Sequence, residues 1–403
     1  MSSRERLLAA IDGLPGAPVP CSFMMFRALR EQCRDEYEFA ARQLDLGLDT
    51  RMRLDDLPVR FAPEVQIREW VELRAGEAVP VVTRMYETPA GTLTSAIRQS
   101  YDWPYGDRVP LFGDHLTPRA TVHPVSEPEH LAALRYLLTA PTDDDIAAFL
   151  DEAARRRRFA ADRGLLFCGG WRGERDVPGE DNGLVGDNFS TVSVVDTLMW
   201  LCGGTEPLIW AYEEPDFLEE LIGIVDAWNR RRLEVHLSAG VELVFRRAWY
   251  EGTDFWSPHL YRRFILPTVR RDAQLAHQAG ARYGYIITSG MAAIADQIVE
   301  AGVDVIVGVD PGQGKGTTLS GVRETLGGRV GLWGGISGPL VVEAGGEQGV
   351  CHAVEQAMAE LAPTGRFILS PVDNIRARDA RTWANVHALI STWRALFSSK
   401  NSR

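Results

Sequence analysis

The sequence has few cysteines, no long apolar run and no excess of basic residues. Its 403 residues contain five cysteines without a CxxC pair, which indicates reduced thiols in a cytoplasmic protein rather than a disulfide framework. The N-terminal segment, MSSRERLLAAIDGLPG, carries charges where a signal peptide has its apolar core. No run approaches the roughly 18 apolar residues of a membrane helix. We therefore expect a soluble, cytoplasmic protein without a membrane partner.

Acidic residues outnumber basic ones. The 43 Lys and Arg residues against 55 Asp and Glu residues give a formal net charge of −12 and a pI of about 5.3. The summed field of such a chain repels polyanions, so nucleic acid is not an expected partner. A local basic pocket for one small anionic ligand stays compatible with this balance.

The C-terminal half alternates short apolar runs with helical patterns. Strands are predicted at Val241–Trp249 and then at YGYIITSG, VDVIVGVD, VGLWGG and RFILSP, and a helix is predicted from Ser257-Pro258 to Gly280. Apolar runs without polar alternation indicate strands buried on both faces, as in a parallel sheet. Repeated strand–helix units of this length favour a (β/α)8 barrel or an open doubly wound sheet.

The N-terminal half is less regular. PVPCSFMMF is typical of a first strand, and residues 60–125 form an excursion with predicted hairpins. The length alone allows two or three domains. Because no linker, low-complexity segment or internal repeat divides the chain, one compact domain with an inserted subdomain is the simplest interpretation.

Several segments, in order along nearly the whole chain, carry a family resemblance. They are RERLLAAIDGLPGAPVPCSF, YEFAARQLDLGLDT, TPAGTL, SEPEHLAALRYLL, SPHLYRRFILPTVRR, IVEAGVDVI with LGGRVGLWGG, and LAPTGRFILSPVDNI. Together they resemble the uroporphyrinogen decarboxylase superfamily, whose members include the decarboxylase and the corrinoid or thiol methyltransferases. The resemblance implies an α/β fold consisting of a single (β/α)8 TIM barrel over residues 1–403, with an insertion at about 60–125. The insertion and the EPEH helix are more similar to the methyltransferase branch.

The zinc ligands of the methyltransferase branch have no counterparts here. That branch has a His-x-Cys-Gly strand end and a later cysteine, and these hold a zinc ion that activates a thiol. The matching strand end is Ile287-Thr288-Ser289-Gly290, and the later position falls near Ser370–Asp373, where there is no cysteine. Zinc prefers soft or imidazole ligands. We therefore expect no zinc and no metal site, while a corrinoid stays a candidate methyl donor or acceptor.

The decarboxylase branch is matched in part. Its arginine-rich N-terminal loop corresponds to Met24–Arg30, which retains Arg27 and Arg30. Its catalytic aspartate corresponds to Asp55 or Asp56, and Asp373 lies near the position of its late histidine.

Active sites of barrels lie at the C-terminal ends of the strands. Applied to this chain, that rule and the resemblance predict catalytic roles for Asp56, Glu251 and Asp373, and substrate-binding roles for Arg27, Arg172, Tyr250, Ser289, Asp310 and Asn374. Each of them could instead be an ordinary loop residue or a helix cap. The aromatic strand ends, Trp249 among them, would suit a flat or apolar ligand. We also expect neighbouring arginines, Arg376 and Arg378 or Arg27, to favour the charged form of Asp373.

Three functions fit these observations. The first is methyl transfer, or cleavage of a related C–O, C–N or C–S bond, on a small substrate without zinc, with carboxylates as general acids and bases. The second is decarboxylation of a polycarboxylate or tetrapyrrole-type substrate without a cofactor. The third is ligand binding without catalysis. A corrinoid protein is a candidate partner for the first function, and the chain is a candidate homodimer.

Overall fold

The computed structural model describes residues 1–170, 192–313 and 317–400. In these ranges no helix combines the length and the apolar character that crossing a membrane would require. The strands are β1 (Arg51–Arg53), β2 (Gln66–Glu72), β3 (Val81–Thr88), β4 (Gly91–Arg98), β5 (Ala120–Val122), β6 (Leu166–Gly169), β7 (Leu243–Arg247), β8 (Arg282–Ile286), β9 (Val305–Val309), β10 (Gly331–Ser337) and β11 (Phe367–Val372).

The helices that accompany these strands are mostly amphipathic. They are α1 (Ser3–Asp12), α2 (Arg27–Arg30), α3 (Glu36–Asp45), α4 (His130–Leu137), α5 (Asp143–Arg163), α6 (Val195–Cys202), α7 (Glu206–Glu213), α8 (Pro215–Ser238), α9 (Pro258–Leu260), α10 (Leu266–Gln278), α11 (Ala295–Ala301), α12 (Leu319–Leu326), α13 (Glu347–Leu361) and α14 (Ala380–Lys400). Two π-helical turns, Tyr261–Ile265 and Gly338–Glu343, and two 3₁₀ turns, Ala292–Ile294 and Ala362–Thr364, complete the set for these ranges.

A parallel sheet organises the first of two compact units, residues 1–55, 151–170 and 236–403. Among the described residues it has seven strands, in the order β1-β6-β7-β8-β9-β10-β11, and all pairs are parallel. The interior strand β9 has the sequence VIVGV and is buried at every position, as expected for a strand covered on both faces. The predicted α/β class with a parallel sheet is therefore confirmed.

The predicted first strand is reduced to two isolated parallel bridges, Cys21 with Leu369 and Met25 with Asn374. Cys21 pairs in parallel with Leu369 of β11, through Ser22 N–H donating to the Leu369 carbonyl at 3.0 Å and Leu369 N–H donating to the Pro20 carbonyl at 2.9 Å. On its other side the Cys21 carbonyl accepts from Asp49 N–H at 2.8 Å, just before β1. Pro20 has no N–H to donate, which limits the pairing of this segment.

Side chains from distant strands meet inside the parallel sheet. The Arg51 guanidinium of β1 lies 5.1 Å from the ring of Trp333 in β10 and 6.0 Å from the ring of Phe245 in β7. The indole N–H of Trp333 donates to the Ser22 carbonyl at 2.7 Å. Since β1 and β10 are far apart in the strand order, these contacts show that the sheet curls strongly around its interior.

The helix after β7 begins and ends where the sequence predicts. The Ser257 hydroxyl caps it by accepting from Leu260 N–H at 3.3 Å, and Pro258 occupies the first helical position. Gly280 follows its end with a left-handed φ of 77°. The π-helical turn Tyr261–Ile265 interrupts it, a feature that the helical pattern does not predict.

The second unit comprises residues 56–150 and 171–235, of which 171–191 are not described. Its antiparallel sheet has the strand order β2-β3-β4-β5 and falls within the predicted excursion. β2 and β3 pair without interruption from Gln66–Glu87 to Glu72–Val81.

Candidate active site

A cavity of about 210 Å³ lies at the C-terminal ends of the parallel strands in the first unit. Its lining residues follow or end β7, β8, β9 and β11. They are Trp249, Tyr250, Thr288, Asp310, Gln313, Val372 and Asp373. Three residues predicted from the sequence, Tyr250, Asp310 and Asp373, are thus brought together at this edge of the sheet, where parallel α/β folds bind their ligands.

Asp310 is held by the turn that follows β9. One of its carboxylate oxygens accepts from Gly312 N–H at 2.7 Å and Gln313 N–H at 3.2 Å, and the other accepts from the Gln313 side-chain amide at 3.1 Å. The turn covers the side chain, so Asp310 forms part of the cavity wall although it is 0% exposed. Asp310 therefore influences the cavity through its charge, because its side chain has little surface left for direct contact with a ligand.

Asp373 has an unusual backbone conformation. Its φ of 66° is left-handed, and among the described residues no other non-glycine residue has a positive φ. Asp tolerates this region because its short side chain can bond locally, and here the carboxylate accepts from Asn374 N–H at 2.7 Å. Such conformations cluster at functional sites, so this outlier supports a site role for Asp373.

Burial raises the pKa of the Asp373 carboxyl above its usual 3.8. The Asn374 N–H and Arg376 act in the opposite direction, whereas the negative charges of Asp310 and Glu343 raise the pKa further. Arg376 thus favours the charged form, as expected, but burial outweighs it and the net shift of the pKa is upward. Arg376 is exposed, and Arg378 lies 3.3 Å from Glu31 instead.

The aromatic wall is fixed from behind by a buried cation. The Arg247 guanidinium lies 4.2 Å from the centre of the Trp249 ring and 5.8 Å from that of Tyr250, and Arg247 is 0% exposed. Phe255 meets the Tyr250 ring edge-on at 5.5 Å. These contacts hold both rings in one orientation, which preorganises that side of the cavity.

Glu251 does not line the cavity. It is 0% exposed and accepts from Arg246 at 2.7 and 3.1 Å, and from the Tyr285 hydroxyl. Arg246 also donates to Asp272 at 2.9 Å. The geometry therefore favours a structural role for Glu251, which neutralises a buried arginine directly behind the loop that carries Tyr250.

Ser289 lies beside the cavity, and the preceding residue, Thr288, lines it. The backbone there packs tightly, because a Cβ at Gly252 would clash with the Ser289 carbonyl. Gly290, with a φ of 66°, accepts from the Thr253 hydroxyl at 2.8 Å. The strand-end rule thus leads to a loop that lines the cavity, where the lining residue is Thr288, next to the predicted Ser289.

Arg27 and Asn374 bind each other rather than the cavity. Arg27 N–H donates to the Asn374 side-chain oxygen at 3.0 Å, and the Arg27 guanidinium pairs with Glu31 at 2.5 Å. Neither residue is among the lining residues. Together they join the N-terminal segment to the loop after β11.

Asp56 belongs to the second unit, where it adjoins a buried arginine. Burial lowers the pKa of Arg232 to about 10, and the charges of Asp56 and Asp145 act against this effect. Arg232 donates to the carbonyls of Leu57 and Pro58. The position of Asp56 near the buried Arg232 favours a structural role for its carboxylate.

Two further predictions concern Asp55 and Arg172. Asp55, the alternative match for a catalytic aspartate, pairs with Arg156 at 2.7 Å in the first unit. The predicted binding residue Arg172 lies outside the described residues.

Sequence reasoning did not select Thr288, Gln313 or Val372, which line the cavity. Gln313 belongs to a glycine-rich segment directly after β9, and that composition is the one signal pointing to it. Thr288 and Val372 each adjoin a residue that was predicted, so the position of the strand end was right to within one residue.

The donor set does not fit zinc. At the strand end that corresponds to the zinc ligands of the methyltransferase branch, the side chains are those of Ile287 and Ser289, an alkyl group and a hydroxyl. Across the part of the chain that the structure describes, no three His, Cys, Asp or Glu side chains are grouped so that they could hold a metal ion. No step of a reaction is therefore assigned to zinc.

Known proteins resemble this chain in one family model and in several solved structures. Residues 195–393, about half of the chain, match the family model of uroporphyrinogen decarboxylase. The solved structure of a methyltransferase from Methanosarcina mazei is similar, with a TM-score of 0.60 and 16% sequence identity over 98% of this chain and 99% of that chain. A B12-independent methionine synthase from Shewanella sp. W3-18-1 matches 62% of this chain and 67% of that chain, with a TM-score of 0.40 and 8% identity. No curated protein matches the sequence.

The family match covers β7 to β11 and so includes the four strands whose ends form the cavity, β7, β8, β9 and β11. The Methanosarcina protein, at 16% identity, shows a shared fold along the whole chain. The resemblance seen in the sequence is thus confirmed, and the chain belongs to the uroporphyrinogen decarboxylase superfamily.

Proposed function

We propose that this protein is an enzyme that transfers a methyl group from a small substrate, or cleaves a related C–O, C–N or C–S bond, in the Asp310–Asp373 cavity without zinc. The observation that carries the proposal is the cavity itself, which combines a carboxyl group of raised pKa with a second carboxyl and two oriented aromatic rings. The pairing of Cys21 with β11 further supports a closed (β/α)8 barrel, completed by that segment.

The size and charge of the cavity favour a small substrate that is not a polyanion. Its volume of about 210 Å³ is below the roughly 300–1,000 Å³ of pockets for drug-sized ligands. Among the lining residues that the structure describes, none is Lys or Arg, whereas two are Asp. A tetrapyrrole with several carboxylates would meet like charges here, so the cavity supports decarboxylation of such a substrate less well.

Asp373 would act as a general acid. A nucleophilic acceptor, supplied as a second substrate, attacks the methyl carbon, and the bond from that carbon to its heteroatom breaks. The heteroatom keeps the electron pair and takes the Asp373 proton, while the acceptor forms the new bond to carbon. A raised pKa keeps a larger fraction of the carboxyl protonated near neutral pH, which is what a general acid requires.

A reduced corrinoid, free or on a partner protein, is the proposed acceptor. The cavity is too small to enclose a corrin ring beside a substrate, so such an acceptor would approach from the mouth. In this proposal the chain's own residues bind the donor, orient its methyl group and supply the proton. Trp249 and Tyr250 exclude water from one side of the donor.

The test is a methyl-transfer assay on the purified chain. Reduced cobalamin is mixed with methanol, methylamines, methyl thioethers and methoxy-aromatic compounds in turn, and methylcobalamin formation is followed by absorbance. With an active donor, Asp373→Asn should lower the rate at least ~100-fold, about 2.7 kcal/mol, without lowering the thermal midpoint. The matched control is Asp254→Asn, an exposed carboxylate in the neighbouring loop, which should react at the normal rate.

Three results would contradict the proposal. Carbon dioxide release from a carboxylate panel would identify a decarboxylase. Ligand binding without turnover of any donor would identify a non-catalytic binder. Full activity of Asp373→Asn would remove Asp373 from the mechanism.

A further inference from the structure

The edge strand β2 is exposed along its entire length. All seven of its residues, Gln66–Glu72, are exposed, although they include Ile67, Trp70 and Val71. Leu73, which follows the strand, is 74% exposed. Within the second unit, β2 pairs on one side with β3, and it ends the strand order of its sheet. Several large apolar side chains are thus concentrated on one open edge.

An open edge of this kind is a template for pairing with another strand, because its outward N–H and carbonyl groups lack partners in the sheet. Proteins usually protect such edges with a lysine, a proline or a bulge. The sequence QIREWVE has neither lysine nor proline, and its pairing with β3 shows no shift in register. The strand therefore lacks lysine, proline and a bulge, and its remaining protection is the charge of Arg68, Glu69 and Glu72.

The sequence of β2 is complementary to itself in one register. Two copies of β2 related by a two-fold axis would pair antiparallel. In such a pair, directly opposite residues point to the same face of the sheet, so the axis must pass beside a residue rather than between two residues. Centring on Arg68 would place two arginines opposite each other, and centring on Glu69 would do the same with two glutamates. Centring on Trp70 pairs two tryptophans and sets each Arg68 opposite Glu72 of the second copy. Within one chain Arg68 lies 3.2 Å from Glu87 and Glu72 lies 2.8 Å from Arg74, so the pairs across the axis would join these ion pairs into a network.

The other face of the strand agrees with the Trp70 register. There Ile67 lies opposite Leu73 of the second copy, which pairs two apolar side chains on each side of the axis, while Glu69 lies opposite Val71 nearer the axis. Aromatic, apolar and opposite-charge pairs across strands each stabilise a sheet, whereas like charges opposite each other destabilise it. The Trp70 register therefore combines the three favourable kinds of pair.

We propose that β2 is a homodimer interface, at which it pairs antiparallel with β2 of a second copy about an axis beside Trp70. The two four-stranded sheets then form one continuous sheet across the dimer. The inference does not depend on the reaction that the first unit catalyses.

The test measures self-association of the full chain by sedimentation velocity, from micromolar to hundreds of micromolar concentrations. Trp70→Lys removes the central pair and should weaken dimerisation at least ~30-fold, as expected for a tryptophan at the centre of an interface. Arg68→Glu and Glu72→Arg each create two like-charge pairs and should weaken it about tenfold. The double variant Arg68→Glu/Glu72→Arg restores both pairs and should recover wild-type dimerisation to within ~3-fold.

Tyr101→Lys is the matched control, because Tyr101 is fully exposed in the same unit but outside β2. It should leave dimerisation unchanged, and circular dichroism should show every variant folded. A wild-type chain that stays monomeric at all concentrations would overturn the proposal. So would a dimer that Trp70→Lys does not weaken, or single charge variants that the double variant fails to rescue, because each result places the interface or its register elsewhere.

Discussion

Replacing Asp373 by Asn tests whether burial controls the charge of this carboxyl. Asn has the same shape, also tolerates the left-handed φ of 66°, and can accept the Asn374 N–H that Asp373 accepts at 2.7 Å. The substitution therefore removes the charge and little else. Asp373→Ala is the contrasting variant, because it also loses the hydrogen bond and the local compensation for the backbone strain.

The sign of the effect follows from the raised pKa. Because the folded state binds the Asp373 proton more tightly than the unfolded chain, the free energy of unfolding falls as the pH rises from the unfolded value of about 3.8 through the folded pKa. Each unit of elevation is worth about 1.4 kcal/mol. Asp373→Asn lacks this loss, so above the folded pKa it should be more stable than the wild type. Asp373→Ala should lose about 1–2 kcal/mol from the left-handed conformation and about 1 kcal/mol from the hydrogen bond, at every pH.

The assay is urea unfolding of the wild type and both variants from pH 3.5 to pH 8. The stability advantage of Asp373→Asn should grow with pH and then become constant. In an Asp310→Asn background it should shrink, because the like charge that helps to raise the pKa is gone. An Asp373→Asn variant that is less stable than the wild type, and increasingly so as the pH rises, would show that nearby cations outweigh burial and would refute the reasoning.

Three other predictions concern the buried ion pairs of Glu36 and Glu251 and the zinc content of the protein. Burial opposes the charge of Glu36, but Arg53 and Arg30 lower its pKa to about 2; Glu36→Gln should therefore cost on the order of 3 kcal/mol at pH 7. In pH-dependent unfolding that difference should be lost as the pH falls from 4.5 toward 2; a difference that persists at low pH would contradict the ion-pair explanation. Glu251→Gln leaves the buried Arg246 under-neutralised and should cost about 3–5 kcal/mol by denaturant unfolding, whereas a loss below ~1 kcal/mol would argue against a structural ion pair. Elemental analysis of the purified chain should find no stoichiometric zinc, and about one zinc per chain would show that oxygen ligands replace the missing His and Cys.

The strands of the parallel sheet could be predicted because their sequences are unusual. A run such as VDVIVGVD has no polar alternation, and it becomes β9 at Val305–Val309 with every residue buried. The segment PVPCSFMMF has the same apolar character, yet it pairs through two isolated bridges, at Cys21 and Met25. An apolar sequence predicts burial, whereas pairing in a sheet also needs backbone N–H donors, and Pro20 has none.

The site was harder to predict than the fold because residues that are neighbours in the sequence have different surroundings in the structure. Tyr250 lines the cavity while Glu251 is buried against Arg246. Both follow the same strand, and the strand-end rule cannot distinguish them. The deciding fact is that Arg246 lies inside the protein and requires a counter-charge there. The sequence does not show which nearby carboxylate provides it.

The two carboxyls of the cavity, Asp310 and Asp373, have different surroundings, and no sequence motif predicts that difference. Three N–H donors converge on Asp310 from its own turn, whereas Asp373 receives one and is held by burial and a left-handed backbone. In the proposed mechanism Asp373 is the proton donor, because burial raises its pKa. That proposal rests on the burial of Asp373 and on the single N–H donor that the described residues give it. Both properties depend on how the loops after β9 and β11 fold, and neither can be read from an isolated aspartate in the sequence.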